Sequence, residues 1–234
     1  MTNDIILEKG FEFFPHNGYF GFIIRAINGS NKHCGFFFKN SLDNSKIYFL
    51  HLMDGVKSEI PSVEDLNKYA YTWFTKIPPS RARAISTKLS LISDRTLNDS
   101  NYQSPPFGFI YSGLARFNEN QDFIPKKFGD SLTCATFILC ILEDLAIFLI
   151  DKSTWHPLEE DNEWKYELFD SYISLAYSQD YINAQRAAIS KCARYKPEEV
   201  VGSSFLYQFN KPAIYTDVQP AAKKVISEIE RLAS

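Results

Sequence analysis

The sequence predicts an α+β chain, and three observations carry that prediction. Three short aromatic and β-branched runs, separated by turn signals, fill the first fifty residues. One long apolar stretch, Leu132-Thr-Cys-Ala-Thr-Phe-Ile-Leu-Cys-Ile-Leu142, reads as a buried helix. Beyond Asp151 the apolar residues switch to helical spacing.

The strands come first. Tyr19-Phe-Gly-Phe-Ile-Ile-Arg25 is followed by the turn signal Asn28-Gly29, then by His33-Cys-Gly-Phe-Phe-Phe38. A polar loop, 40–45, leads to Lys46-Ile-Tyr-Phe-Leu-His51. Together they predict an antiparallel meander. A helical pair follows: Pro61-Ser62 caps a helix over 62–76, with Leu66, Tyr69, Ala70, Trp73 and Phe74 on helical spacing, and Arg81 to Ile92 forms the second. Phe107–Ser112 and Leu114–Phe117 read as strands. Ser131 is the expected N-cap of the helix that carries Cys134. Helices are expected over Asn162–Tyr177, Tyr181–Tyr195 and Ala221–Leu232, with a short strand at Phe205–Phe209. The expected organisation is a core over 1–150 with a helical insertion at about 57–93, and a mostly helical extension over 151–234 packed on that core.

With 234 residues, 45% of them hydrophobic, 20 Phe and 13 Tyr, the chain has ample material for one large core. A formal net charge of −3 without charge blocks argues against a nucleic-acid surface, which rests on clustered Lys and Arg. Leu132 to Ile150 is long enough to span a bilayer, but Glu143 and Asp144 near its middle favour a buried core helix over an integral membrane segment. The first residues show no basic region before a long apolar run, so no signal peptide is read and a cytoplasmic location with reduced thiols is expected. Cys34, Cys134, Cys140 and Cys192 show no C-x-x-C spacing, and no metal or other cofactor is expected.

The chemistry points to Cys134. A helix N-terminus lowers a thiol pKa, and its free N–H groups can hold an oxyanion. His33 and His51, on adjacent strands, are the candidate base and orienting group. Asp54 and Asn44 are rival orienters, whereas His16 and His156, each beside a proline, read as surface residues. Cys34, Cys140 and Cys192 read as packing. Strand alternation places His33 and His51 on one face, expected to be the face under the Cys134 helix, with Cys34 pointing the other way. A metal site from His33, Cys34 and His51 is disfavoured, because adjacent strand residues splay to opposite faces.

His33-Cys-Gly-Phe-Phe-Phe, a loop, then Ile47-Tyr-Phe-Leu-His51-Leu52, and later Leu132-Thr-Cys134-Ala-Thr-Phe-Ile, resemble the circularly permuted NlpC/P60 proteins of the lecithin:retinol acyltransferase-like group. There a histidine opens one strand, a second polar residue stands in an H-L dipeptide on the next, and the cysteine follows at a helix start. The resemblance covers residues 19–52 and 128–145. It implies a permuted papain-like sheet packed on a central Cys-bearing helix, with Cys134 as nucleophile, His33 as general base and His51 as the group orienting it. It also implies acyl transfer through a thioester, on a peptide amide or a lipid acyl substrate. The alternative is a non-catalytic binding or regulatory module on the same fold. Because helices 62–76 and 81–92 connect two elements of the site, they are expected to border its cleft.

Overall fold

The computed structural model describes residues 5–9, 19–27, 31–39, 46–173 and 177–233. Its centre is a five-stranded antiparallel sheet of β1 (Phe20–Ala26), β2 (Lys32–Lys39), β3 (Ile47–Leu52), β4 (Val56–Glu59) and β5 (Ala70–Trp73), in the order β4-β3-β2-β1-β5. The meander expected from the first fifty residues is present, with Arg25 opposite His33 and Phe36 opposite Leu50. Two minor strands, β6 (Arg116–Phe117) and β7 (Phe123–Ile124), form a separate hairpin. The helices are α1 (Val63–Lys68), α2 (Pro79–Asn98), α3 (Cys134–Asp144), α4 (Asn162–Leu168), α5 (Gln179–Ala188), α6 (Pro197–Leu206) and α7 (Tyr215–Ala233). A single π-turn, Phe169–Ile173, continues α4. The turn Asn28-Gly29, the loop 40–45, Asn44 and His16 lie outside the described residues.

The sheet is buried on both faces. On one face Phe20, Phe22, Ile24, Cys34, Phe36, Phe38, Leu50 and Leu52 meet Ile85, Leu89 and Ile92 of α2 and the apolar face of α3. Val200 and Val201 of α6 and Val218, Val225 and Ile229 of α7 enter the same core, so the residues beyond 151 help to bury the sheet. On the other face Ile23, Phe37 and Phe49 form a smaller cluster with Tyr69 and Tyr71.

The region 57–93 is only partly helical. Ser62 caps α1 through a capping box with Asp65, as its sequence predicts, but the helix ends at Lys68. Ala70-Tyr-Thr-Trp is β5, hydrogen-bonded to β1 on one side and bridged to Glu8 on the other, where the Glu8 and Tyr71 amides each donate to the other's carbonyl at 2.9 Å. The helical spacing of Tyr69, Ala70 and Trp73 coincides with a β-favouring composition, and pairing with β1 wins. This region also supplies β4, so it completes both edges of the main sheet.

Other boundaries move for local reasons. Phe107–Ser112 forms no ladder: it holds one parallel bridge from Phe107 to Leu132 and then bends at Gly108 and Phe109. Of Leu114–Phe117, only Arg116 and Phe117 are strand. Phe205 and Leu206 close α6 and are not a strand, and α5 stops at Ala188, well before Tyr195. No helix of the described residues is long and apolar enough to cross a membrane. α3 spans 11 residues, about 16 Å of helix.

Candidate active site

Cys134 is the first residue of α3. The N-cap is Thr133, two residues later than expected, and Thr133 and Thr136 form a reciprocal capping box: the Thr136 amide donates to Thr133 Oγ1 at 3.3 Å, and the Thr133 amide to Thr136 Oγ1 at 2.7 Å. Ser131 is occupied elsewhere. Its Oγ accepts from the Ile110 amide and donates to the Ile110 carbonyl, both at 3.1 Å, tying the approach to α3 against the segment 106–110. Buried Gln185 of α5 clamps the same junction, accepting from the Phe109 amide at 3.2 Å and donating to the Gly129 carbonyl at 2.8 Å. The thiol therefore stands on a fixed helix end, half-buried.

α3 runs along β2 in the same direction, since Cys134 meets Cys34 and the Phe137 ring meets Phe36 with centroids 6.4 Å apart. Cys34 is fully buried on the α3 face, close enough to Cys134 for the two thiols to shift each other's pKa. This corrects one expectation: Cys34 points toward the Cys134 helix. His33 and His51 do share a face, as expected, but it is the opposite one, where the His33 ring lies against Tyr69, which in turn meets Phe49. The start of α3 lies near the beginning of β2, close enough for His33 to help lower the Cys134 pKa. Of the residues singled out in the sequence, the structure thus joins His33 to His51 and sets Cys134 near His33.

His33 and His51 are the best-defined pair. His33 Nε2 lies 2.9 Å from His51 Nδ1, and both residues are 3% exposed, so little water competes with that bond. Gly35 makes the approach possible. It stands between His33 and Phe37 on β2, and a Cβ there would come within 2.6 Å of His51 Cβ. Beyond His51, its Nε2 lies 3.4 Å from Glu59 Oε1 on β4. Asp54, the rival orienter, is exposed and pairs with Lys57 at 3.1 Å instead.

Electrostatics give the arrangement a direction. Burial, reinforced by the charges of His33 and Arg25, lowers the His51 pKa to about 3, so His51 is neutral in ordinary buffers. A neutral His51 that donates from Nε2 to Glu59 has its lone pair on Nδ1. It then accepts the Nε2–H of His33, which leaves His33 Nδ1 for the thiol. The Cys134 pKa is pulled well below the usual thiol range, first by the hydrogen bond from Cys34 and then, against the cost of burial, by the hydrogen bond and charge of His33. Cys34 moves the other way: burial, the hydrogen bond to Cys134 and the nearby charges of Cys134 and Glu198 keep it a thiol.

Sequence reasoning missed four contributors: Glu59, Cys34, Tyr69 and Arg25. Glu59 sits on a strand that carries no hydrophobic alternation, and Cys34 reads from the sequence as packing. Tyr69, whose phenol burial pushes up to about 12, forms a wall beside His33, and the Arg25 guanidinium covers its ring at 4.8 Å. Arg25 was legible in principle, because the meander register sets it opposite His33. Cys140 donates to the Ala115 carbonyl at 3.3 Å and is buried, and Cys192 lies near Lys165, so neither joins the site. Among the described residues no group of three or more His, Cys, Asp and Glu side chains is arranged to hold a metal ion. Comparison of the chain with protein-family models, curated proteins and solved structures found no match.

Proposed function

We propose that this protein is a cysteine-nucleophile hydrolase or acyltransferase on a permuted papain-like scaffold, working through a thioester on Cys134. The observation that supports this reading best is the relay itself: a thiol at a helix N-terminus whose pKa is pulled well down, near a histidine that is held in turn by a buried neutral histidine. Each group has the property its step requires. The Cys134 thiolate attacks an acyl carbonyl and forms the C–S bond. The amides of Cys134 and Ala135, the first two of α3, have no carbonyl four residues back in the helix and are free to receive the oxyanion. His33 takes the thiol proton as Cys134 attacks and gives it to the departing amine or alcohol as the carbonyl re-forms. It then takes a proton from water or from an acceptor, which attacks the thioester and releases Cys134. His51 holds the His33 ring and its tautomer throughout, with Glu59 behind it.

Peptide amides and lipid acyl groups are the proposed substrate classes, and the same reading puts the site of action in the cytoplasm. The test uses a small panel of activated acyl esters and peptide anilides, and monitors release of the leaving group in the pre-steady state. A burst with a thioester adduct on Cys134, absent from Cys134→Ala, is expected. Equal turnover by wild type and Cys134→Ala, or equal labelling of both by iodoacetamide at neutral pH, overturns the assignment and leaves a binding module on this scaffold.

A further inference from the structure

Cys34 takes no part in the proton relay, yet it is placed where a second thiol has a specific chemical consequence. It is fully buried on β2 in the apolar core against which Cys134 packs, two residues before Phe36 as Cys134 is three before Phe137, and it is held on the sheet while Cys134 is held on the capped end of α3. The two thiols sit on elements packed against each other, with the Phe36 and Phe137 ring centroids 6.4 Å apart, and each thiol shifts the other's pKa, as neighbouring groups do. The other two cysteines have different partners, so the pairing is unambiguous.

We propose that Cys34 and Cys134 form a reversible disulfide when the site meets a peroxide, and that this bond protects and silences the nucleophile. The inference shares with the proposed function only the reactivity of Cys134, not the acyl chemistry. The Cys134 thiolate attacks one peroxide oxygen, the O–O bond breaks, hydroxide leaves, and sulfur is oxidised by two electrons to the sulfenic acid. The Cys34 sulfur then attacks Cys134, giving up its proton as the S–O bond breaks, and water leaves. A dithiol reverses the bond by exchange. Half-buried Cys134 is the sulfur that meets the oxidant, and Cys34, sealed behind it, acts only as the resolving thiol. Without Cys34, the sulfenic acid would proceed to the irreversible sulfinic acid.

Hydrogen peroxide is added in slight excess to the full-length protein, and the intact mass, the tryptic map and iodoacetamide labelling are measured before and after dithiothreitol. Wild type is expected to lose two hydrogens and to yield a cross-link between peptides 33–39 and 128–152, with fragment ions assigning the bond to Cys134 over Cys140. Labelling of Cys134 disappears and returns in full with dithiothreitol. Cys34→Ser and Cys34→Ala, checked for native circular dichroism, are expected to gain oxygen on Cys134 instead and to stay unlabelled after dithiothreitol. Direct passage of wild type to the sulfinic acid with Cys34 still a thiol, or a cross-link to Cys140, overturns the proposal. A disulfide without any acyl adduct upholds it while removing the proposed function, and the converse separates the two in the other direction.

Discussion

At the scale of single residues, the neutrality of His51 orders the site, and it makes stability depend on pH. Unfolded, a histidine titrates near its ordinary value of about 6.5, whereas folded His51 titrates near 3. Between those values the unfolded chain binds a proton that the native state refuses, so this residue's contribution to stability is present above about pH 6.5 and falls as the pH drops, by up to roughly 1.4 kcal/mol per unit. Chemical denaturation at a series of pH values should show that slope in wild type and a shallower one in His51→Asn. An unchanged slope would mean that His51 is hydrated and not buried as found. For Cys134 the sign is the reverse of an ordinary buried thiol. Its alkylation should persist to a lower pH than that of a free thiol, which reacts roughly tenfold more slowly for each unit below its pKa. His33→Ala should move the Cys134 profile to higher pH, as should Cys34→Ala, because each removes a hydrogen bond that holds the thiolate.

At the scale of elements, β2 and α3 carry the site because each leaves room at one defined point. Gly35 lets β3 approach until His51 reaches His33, and a methyl group there would press on His51 Cβ at 2.6 Å and on the Leu50 carbonyl oxygen at 2.9 Å, neither of which can move without the strand. Gly35→Ala should therefore cost about 2 kcal/mol in denaturant titration and also weaken Cys134 labelling at low pH. A loss of stability with labelling unaltered would show that the histidine pair does not act on the thiol. The start of α3 depends on Thr133 in the same way. Thr133→Ala removes the Oγ1 that accepts from the Thr136 amide and should cost about 1 kcal/mol.

At the scale of the whole molecule, the residues beyond 151 brace the site from two directions. α6 and α7 fill the core beneath the sheet, and α5 reaches through Gln185 to the junction ahead of Cys134. Gln185→Leu keeps the side-chain volume close but strands the Phe109 amide and the Gly129 carbonyl, each costing about 1–3 kcal/mol when buried without a partner. Hydrogen exchange should then quicken at 107–110 and 129–134 while the five strands stay protected. Uniform protection across both regions would mean that the junction does not need the helix. Val201→Ala, which opens space between α6 and the sheet, should instead lower global stability by roughly 2 kcal/mol.

Residue order and periodicity alone determined the three-stranded meander, the capped start of α1 and the buried Cys134 helix, because each is a local preference repeated over consecutive residues. Strand alternation likewise required His33 and His51 to share a face and Cys34 to oppose them. Which face lay under α3 was not legible, because β2 is apolar on both sides: Phe36 and Phe38 point one way and Phe37 the other, so no polar alternation marked an inside. The signals for α6 were present in Pro197-Glu-Glu, a proline and two acids in a first turn, whereas the strand β5 was hidden under helical spacing. Only tertiary pairing with β1 turned Ala70–Trp73 into an edge strand. Only the packing of a helix end over a strand end brought Cys134 to His33 on one side of β2 and to Cys34 on the other, since contacts a hundred residues apart are set by how whole faces bury each other.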